Sequence, residues 1–503
     1  MTMTSGERVD SRRWWALAVV LAATFMALLD SFIVNVAIPS IQADLRASAS
    51  DIQFILAGYT LAYAVLLITG SRLGDMFGRK RLFLIGMLGF VVASALCGAA
   101  PSSLYLILFR VLQGITAAAM MPQVLAMIQV SFPEREKAKA IGLYGATIGI
   151  ATVSGQLLGG YLISQNLFGL GWRSVFLVNV PIGVAALLAG IPLLQESRNP
   201  SAKRLDLAGA IILTASLLAL AFPLVQGREA GWPAWSFILL ACFPAGLTLF
   251  IIYERKMLEN GKSPLLSPSL FRDRSFSLGI SLILVFYAIA SALFFTLAVM
   301  LQQGFGYSAL TSGLTYLPLG IGFFLASLAS PKLVSRFGPA VLLVGAIITA
   351  GGIGYTLEIV HHHGGHLVWM ALWPSLFIIG IGQGACAAPL IGTILSKVRQ
   401  VNIGAASGVL TTATQLSTAL GVCFVGIFFY RALDISALLD SHTRYAHAFT
   451  IALEFVLILS VIYAFLLIFL LKAGQQRHPE KLSVLRGRGV DSYGQLPESN
   501  PFQ

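Results

Sequence analysis

Two charged residues interrupt long apolar stretches of this 503-residue chain, and their side chains are the ones best suited to chemistry inside a membrane. Asp30 stands in the apolar stretch 14–39, and Arg110 stands in the stretch 103–130. A charge near the centre of a bilayer costs at least ~2.5 kcal/mol on insertion scales, so it is retained only when it is paired, protonated or exposed to water. Asp30 is therefore a candidate for proton or cation binding, and Arg110 for tuning its pKa. A permanent structural ion pair is the alternative role for both residues.

The composition of the chain predicts the elements that must hold these two residues. The residues are 57% hydrophobic and 11% charged, and the mean hydropathy is +0.83, which is typical of an all-α polytopic membrane protein. Counting inward from the ends of their spans places Asp30 and Arg110 at similar depth in the outer half of the membrane. Fourteen apolar stretches are near or above the ~20 residues that a spanning helix needs, at about 14–39, 52–71, 82–100, 103–130, 139–164, 173–194, 206–226, 234–253, 276–303, 308–331, 339–360, 367–396, 403–430 and 446–471.

The distribution of basic residues predicts the orientation of the chain. An even number of spans places both termini on the same side of the membrane. Of the 33 Lys and Arg residues, 27 fall in the tails and the loops on that side. The positive-inside rule therefore predicts cytoplasmic termini. It also explains the net charge of +12 without a nucleic-acid partner.

A short run of glycine and charge, Gly70–Arg81, separates the second and third apolar stretches. Its glycines allow a tight turn and close helix approach, and Asp75 can pair with the basic residues around it. The run closely resembles the loop between the second and third spans of major facilitator superfamily transporters. This resemblance implies a conformational latch made by Asp75, Gly78, Arg79 and Arg72. Turn formation and anchoring of the topology are the alternative roles.

Two further segments resemble one branch of this superfamily, the fourteen-span drug:proton antiporters. Leu29–Pro39 resembles the first-span motif of that branch, and Trp172–Gly183 resembles the entry to its sixth span. The resemblance implies a major facilitator fold, in which two pseudo-symmetric six-helix bundles flank a central cavity and two helices are inserted between them. The predicted units are an N-terminal bundle at 1–195, the inserted pair with its linkers at 196–274, a C-terminal bundle at 275–472 and a disordered cytoplasmic tail at 473–503.

A faint internal repeat supports this division of the chain. Gln113-Gly114 is echoed by Gln383-Gly384, as expected when the two halves of a transporter are parallel repeats of each other.

The fifth span carries small residues at four-residue spacing, which allows close packing of helices. Part of this pattern resembles the antiporter motif of the family, but Gln156 stands where proline is usual. A role in proton coupling and simple close packing therefore both stay open. The residues concerned are Gly149, Gly155, Gln156, Gly159 and Gly160.

Bulky, polarizable and amide side chains lie on the spans that the resemblance places around the cavity. An apolar, aromatic cavity with one acid suits amphipathic and often cationic compounds. Packing against lipid or neighbouring helices is the alternative role for each aromatic side chain. The predicted substrate-binding residues are Met26, Asn35, Gln113, Phe294, Trp373 and Gln383.

Two other acids and a histidine tract lie toward the outer ends of spans. Glu358 and Glu454 are secondary candidates for proton binding, with snorkelling or local pairing as the alternative. The tract His361–His366 is either a metal or pH-sensing site or a polar loop. Because the tract has no flanking cysteine and no fixed spacing, we expect no metal site and no cofactor.

These features together predict a proton-coupled secondary transporter that exports amphipathic, often cationic drugs by alternating access. No phosphate-binding loop and no catalytic motif is present, so neither ATP-driven transport nor an enzyme is expected. The expected partners are a small-molecule substrate, protons and the lipid bilayer, with the chain acting as a monomer in a bacterial inner membrane. Two alternatives remain: a dedicated exporter of one endogenous lipid, siderophore or metabolite, and a non-transporting membrane sensor or scaffold.

Overall fold

The protein is described here by a computed structural model covering residues 12–198, 206–260, 271, 273–395, 398 and 403–475. Within these residues the chain forms helices joined by short turns, and none of them lies in a β-strand. The first seven helices are α1 (Arg12–Leu45), α2 (Ala49–Phe77), α3 (Arg79–Gly98), α4 (Ser103–Ser131), α5 (Glu134–Gln165), α6 (Ser174–Leu177) and α7 (Asn179–Leu193).

Nine more helices follow in chain order. The short helix α6 continues into α7, and α11 continues into α12, so that each pair forms one span. The remaining helices are α8 (Leu207–Glu229), α9 (Ala234–Glu259), α10 (Arg274–Val299), α11 (Ala309–Thr315), α12 (Leu317–Phe337), α13 (Ala340–His363), α14 (Trp373–Leu395), α15 (Ile403–Ile435) and α16 (Ser441–Gln475).

Thirteen helical segments of the described chain are long and apolar enough to cross a membrane. They correspond to thirteen of the fourteen predicted spans, and the remaining one, 139–164, lies within α5. The 32 residues of α5 are long enough to cross. However, α5 is the least apolar of the long helices, because its first turns carry the charged run 134–139 and its later turns are rich in glycine. The predicted tail 473–503 lies outside the described residues except for its first three.

The helices pack into two bundles that share one local arrangement. In the first bundle α4 packs closely on α2, because a Cβ at Gly114 would lie 2.3 Å from the carbonyl oxygen of Tyr59. In the second bundle α14 packs on α12 in the same way, with a Cβ at Gly384 lying 2.2 Å from the carbonyl oxygen of Phe323. The two Gln-Gly pairs found in the sequence therefore mark the same type of helix contact, which only a residue without a side chain permits.

The N-terminal and C-terminal bundles are joined by α5, which lies between α1 and α11. A Cβ at Gly155 would lie 2.7 Å from Cβ of Phe32 in α1, and one at Gly160 would lie 2.5 Å from the carbonyl oxygen of Ala309 in α11. Gly159 likewise faces Ile33 of α1. The close packing predicted from these glycines is therefore present. Gly149 also lies in α5, but its neighbours are not among the contacts that the structure describes.

We call the membrane face at which α1 begins the near side, and the opposite face the far side. Hydrogen bonds between described residues join the bundles toward the far side. Gln302 Nε2 donates to the carbonyl oxygen of Val36 at 3.0 Å, and Gln303 Nε2 donates to Gln42 Oε1 at 2.7 Å. The backbone N–H of Leu310 donates to Ser164 Oγ at 3.2 Å.

The two glutamines of this contact belong to a π-helical turn, Met300–Gly304, that ends α10. Such a turn is rare and occurs mostly at functional sites. Here it presents consecutive amides to α1. Phe294 of α10 also meets Phe32 of α1, with ring centroids 5.7 Å apart. The far side is therefore closed by contacts between α1, α5, α10 and α11.

A methyl group at Gly160 should open this far-side contact. Because the added Cβ would press on the backbone of α11, we expect Gly160→Ala to destabilise the closed arrangement by about 1 kcal/mol or more. The measurement is the labelling rate of Leu310→Cys by a water-soluble maleimide in detergent, after the exposed Cys242 has been replaced by serine. Labelling should become roughly fivefold faster or more.

Gly145→Ala in the same helix is the matched control, because a Cβ there would have no heavy atom within 4 Å beyond its own helix neighbours. Equal labelling rates in the Gly160 and Gly145 variants would show that the close contact does not hold the far side closed.

Candidate functional site

The carboxylate of Asp30 lies inside the N-terminal bundle and is completely buried. Three side chains donate hydrogen bonds to it. Arg110 Nη1 of α4 lies 2.5 Å from Oδ2, while Gln113 Nε2 of α4 and Asn179 Nδ2 of α7 lie 2.9 and 2.8 Å from Oδ1. The predicted approach of Asp30 to Arg110 is therefore present. Hydrogen bonds that favour the charged carboxylate offset the cost of its burial.

The guanidinium of Arg110 is 1% exposed and also has several partners. Its Nε donates to the carbonyl oxygen of Ile55 in α2 at 3.1 Å, and its Nη1 also donates to Gln113 Oε1 at 2.6 Å. The ring of Tyr59 lies under the guanidinium, with its centroid 4.3 Å from Cζ. This is a cation–π contact in a desolvated site, where such contacts are strongest. Arg110 thus connects α1, α2 and α4.

Gln113 and Asn179 complete the shell around the ion pair. Gln113 Nε2 donates its second hydrogen to Ser94 Oγ of α3 at 2.8 Å, so both hydrogens of this amide are used. Asn179 donates to Asp30, but its own Oδ1 is buried without a hydrogen-bond partner. A buried acceptor that lacks a donor costs free energy. If the Asn179 amide rotated about its Cβ–Cγ bond so that Oδ1 and Nδ2 exchanged places, this oxygen would face the carboxyl group of Asp30.

The C-terminal bundle has no counterpart of this ion pair at the repeated position. Gln383 of α14 corresponds to Gln113, and Gly380 stands three residues before it, as Arg110 stands before Gln113. A Cβ at Gly380 would lie 2.0 Å from the carbonyl oxygen of Leu319. Direct helix contact therefore replaces the arginine there, and Gln383 Nε2 is buried without a hydrogen-bond partner.

Asn179, Ser94 and Tyr59 belong to the site, although the sequence analysis does not predict them as site residues. Asn179 is 149 residues from Asp30. Its only sequence signal is its place in the segment that resembles a sixth-span entry. Ser94 and Tyr59 carry no sequence signal, since small polar and aromatic residues are common in membrane helices.

Tyrosine side chains lie beside this site and in both bundles. The ring centroid of Tyr63 in α2 lies 6.1 Å from that of Tyr59. Two further tyrosines lie in different bundles: Tyr144 of α5 is partly buried against the core of the N-terminal bundle, and Tyr287 of α10 is partly buried against that of the C-terminal bundle. The ring of Tyr287 packs edge-on against Phe286, with centroids 5.1 Å apart.

The three predicted substrate residues of the N-terminal bundle are all buried. Met26 is completely buried within the N-terminal bundle, beside Gly183 of α7, so it does not face the space between the bundles. Asn35 is also buried, and its amide donates to the carbonyl oxygen of Phe32 in its own helix at 3.2 Å. Gln113 is committed to the ion pair of Asp30. Met26 and Gln113 are thus fully buried, and a role of the three residues in substrate binding stays a prediction.

The three predicted substrate residues of the C-terminal bundle lie far apart in sequence and have different neighbours. Phe294 stacks on Tyr316, with centroids 5.1 Å apart, and lies at the contact with α1. Trp373 begins α14 on the far side and packs edge-on against Trp369, which is the interfacial position that tryptophan prefers. Gln383 has the unpartnered amide described above. The indole Nε1 of Trp373 is likewise buried without a partner, so both Gln383 and Trp373 keep a hydrogen-bond donor that a ligand could use.

The loop that resembles a latch holds an ion pair within the N-terminal bundle. Arg79 Nη2 donates to Asp75 Oδ1 at 2.9 Å, one helical turn away across the break at Gly78. Gly78 has φ of 112°, a conformation that favours glycine. Arg72 lies one turn before Asp75 in α2. The structure thus brings Asp75, Gly78 and Arg79 together, and their pairing across the two bundles stays a prediction.

An unpredicted residue, Glu196, completes this loop. Its carboxylate accepts the backbone N–H groups of Lys80 and Arg81 at 3.1 and 3.2 Å. These N–H groups belong to the first turn of α3, where the backbone donors have no partner inside their own helix. A negative charge at a helix start is also favoured by the helix dipole. Glu196 is more than a hundred residues away in sequence, so no local pattern indicates this contact.

The secondary acids and the histidine tract lie apart from the buried ion pair. Glu358 is exposed and pairs with His362 at 2.9 Å, while Glu454 is exposed on α16. The described residues contain no group of three or more His, Cys, Asp or Glu side chains arranged to hold a metal. Glu358 is thus paired locally, and proton-binding roles for Glu358 and Glu454 stay predictions.

Removing one member of the buried ion pair should cost more than removing both charges. We expect Arg110→Met to lower the free energy of unfolding by about 3–5 kcal/mol, because it leaves a buried carboxylate without its cation. Adding Asp30→Asn should restore more than half of the loss. The measurement is thermal denaturation in detergent.

Arg79→Met is the matched control, since its pair with Asp75 is partly exposed and should be worth no more than about 1 kcal/mol. A double variant less stable than Arg110→Met alone would show that the two charges do not depend on each other.

Known proteins resemble this chain over most of its length. The family described as Major Facilitator Superfamily matches residues 20–422. The chain is 41% identical over 428 residues to a probable actinorhodin transporter of Streptomyces coelicolor. The matched region covers 85% of this chain and 74% of that protein. It is 36% identical over 477 residues to a puromycin resistance protein of Streptomyces alboniger, covering 91% and 92% of the two chains. A multidrug resistance protein of Mycobacterium tuberculosis is 33% identical over 426 residues, covering 84% and 76%.

Solved structures share the fold at low sequence identity. A bacterial homologue of the human drug peptide transporters PepT1 and PepT2 has a TM-score of 0.66 at 13% identity, covering 92% of this chain and 99% of its own. A bacterial homologue of the human lysosomal transporter Spinster, in an inward-facing and occupied conformation, has a TM-score of 0.63 at 16% identity, covering 93% and 98%. These likenesses, the family match and the helical bundles lead to one conclusion: the chain belongs to the major facilitator superfamily and is a multi-pass transporter of the cell membrane rather than an enzyme.

Proposed function

We propose that this transporter exports amphipathic, often cationic small molecules in exchange for protons, by alternating access of a site between its two bundles. Three kinds of observation support the proposal. The relatives are named for antibiotic or multidrug resistance and export. Asp30 is a buried carboxylate in a polar network, and the far side is closed by contacts that a rocking motion would break.

The observation that carries the proposal is the double role of α1. Asp30 lies on this helix two residues before Phe32 and six before Val36, about 9 Å along the axis from the latter. Phe32 packs on Phe294 of α10, and the carbonyl oxygen of Val36 accepts the amide of Gln302. A change in how Asp30 is held therefore acts on the same helix that holds the far side closed.

Protonation would change the partners of Asp30 in a defined way. A neutral carboxyl loses its attraction to Arg110, while the guanidinium keeps its contacts with Ile55, Gln113 and Tyr59. The new O–H needs an acceptor, and Asn179 Oδ1 supplies one after a half-turn of its amide. Loss of the ion pair loosens α1 from α4, which frees α1 to move with its far-side contacts. Inward proton movement would then drive export.

The substrate would contact other residues than Asp30. The carboxylate is completely buried, so a bound molecule between the bundles cannot reach it in this conformation. Tyr144 of α5 and Tyr287 of α10 are only partly buried, and their ring faces would attract cations. Gln383 adds an unused amide donor. This set suits flat or cationic compounds with apolar surface.

A dedicated exporter is the second candidate function. Relatives named for one compound, actinorhodin, puromycin or tetracenomycin C, support it, whereas the relatives named for multidrug resistance support a broad range. Both candidates use the same proton site. A resistance profile over chemically unrelated compounds separates them.

The test is transport of ethidium in proteoliposomes, driven by a pH gradient. We expect Asp30→Asn to lower gradient-driven transport by at least tenfold, because the variant cannot bind and release the proton. Ethidium exchange without a gradient should remain, since Asn has nearly the size of the protonated, neutral carboxyl group and, like it, carries one carbonyl oxygen and one hydrogen-bond donor group. The fluorescence of the dye reports both rates.

Glu358→Gln is the matched control, because it removes an exposed carboxylate that pairs only locally. Its gradient-driven rate should stay within about twofold of wild type. Gradient-driven transport that survives Asp30→Asn would contradict the assignment of the proton to Asp30. Transport that ignores the gradient in the wild type would contradict proton coupling itself.

A further inference from the structure

The inserted helices lie on the seam where the two bundles meet. α8 packs on both α2 of the N-terminal bundle and α15 of the C-terminal bundle, and these two helices also pack on each other. α9 packs on α8, and their approach is close because a Cβ at Gly246 would lie 2.4 Å from Ser216 Oγ. The hairpin of α8 and α9 therefore reaches the rest of the protein chiefly through α8.

One face of α8 makes this contact over much of its length. Buried side chains recur along it every three or four residues, from Leu213 to Val225, which corresponds to about 18 Å of helix. Two apolar clusters contain members of all three helices. The first joins Ala57 and Leu61 of α2, Ala221, Leu224 and Val225 of α8, and Ala419 and Cys423 of α15. The second joins Val65 of α2, Leu213 and Leu217 of α8, and the partly buried Leu416 of α15.

The contact of α8 with α2 includes interactions that depend on direction. Ser50 Oγ donates to Gln226 Oε1 at 3.4 Å, which links the ends of the two helices on the far side. The rings of Phe54 and Phe222 lie 5.7 Å apart. Hydrogen bonds and ring contacts have preferred geometries, so they hold one register between the helices.

The chain that leads into α8 is tied to the N-terminal bundle as well. Glu196 accepts the backbone N–H groups of Lys80 and Arg81, and the carbonyl oxygen of Ser197 accepts the N–H of Arg79 at 3.0 Å. All three donors belong to the first turn of α3. The segment that follows α7 is thus held to the start of α3 on the near side.

The contact of α8 with α15 has a different character. The residues that α15 contributes to the clusters are all apolar; Ala419 and Cys423 are small, and the others are the partly buried Leu416, Leu420, Phe424 and Ile427. Contacts between such surfaces depend on area rather than direction. An apolar surface can be displaced along another without breaking a hydrogen bond. The two sides of α8 therefore differ in how firmly they fix it.

We propose that the α8–α9 hairpin moves as part of the N-terminal bundle and that its face on α15 is a sliding surface. The hairpin would then keep the α2–α15 seam covered on its bilayer side while the bundles rock. This inference rests on the alternating access proposed above. It gives the insertion a defined task, which is to travel with one bundle and shield the moving seam.

Two cross-links with opposite expected effects test this proposal. The first joins Phe54→Cys to Phe222→Cys, between α2 and α8. The second joins Ala221→Cys to Ala419→Cys, between α8 and α15. Both pairs are made after Cys242 and Cys423 have been replaced by serine and alanine, and both are linked by a short, reducible bifunctional thiol reagent. Ethidium transport should stay within about twofold for the first pair and fall at least about tenfold for the second, with recovery after reduction.

Cross-linking yield gives a second readout that needs no transport. The yield of the α2–α8 pair should be the same with and without ethidium, whereas that of the α8–α15 pair should change. Equal effects of the two cross-links, or the reverse order, would overturn the proposal, as would a ligand-dependent yield for the α2–α8 pair. Because the yields are read without a proton gradient, a failure of proton coupling leaves this test decisive.

Discussion

The ion pair of Asp30 and Arg110 is the constraint on which the N-terminal bundle depends. Both side chains are removed from solvent, so the bundle must supply every partner that water would otherwise provide. It does so with side chains from α4 and α7 and a backbone carbonyl from α2, and Ser94 of α3 supports the glutamine that completes the shell. Five helices are therefore positioned by one buried pair of charges. At the repeated position the C-terminal bundle has Gly380 and direct helix contact instead.

A second constraint is the close approach of backbones at the boundary between the bundles. The glycines of α5 let it lie against α1 on one side and α11 on the other, while the π-helical turn of α10 directs two amides at α1. In a membrane, helices gain little from burying apolar surface against each other, so close packing and hydrogen bonds determine where they meet. α1 takes part in both the ion pair and the boundary, which makes it the natural element to couple them.

Several features of the site follow from the sequence because they depend on depth and composition. A carboxylate and a guanidinium at similar depth in two apolar spans indicate a pair, and the structure has that pair. Small residues at regular spacing indicate close packing, which is also present. The predicted substrate residues depend on the rotation of each helix about its axis, and their roles stay predictions. Met26, for example, points into its own bundle.

The sequence by itself determined the number and length of the apolar segments, the burial of two opposite charges and the membership of a transporter superfamily. Only the tertiary structure decided that Asn179 and Ser94 complete the shell of Asp30, that Glu196 caps the first turn of α3, and that α8 packs on both bundles. The physical reason is the solvent. Lipid and neighbouring helices are both apolar, so the pattern of hydrophobic residues does not indicate which face of a helix meets its partner. Contacts between residues far apart in sequence determine which face of each helix packs on its neighbour.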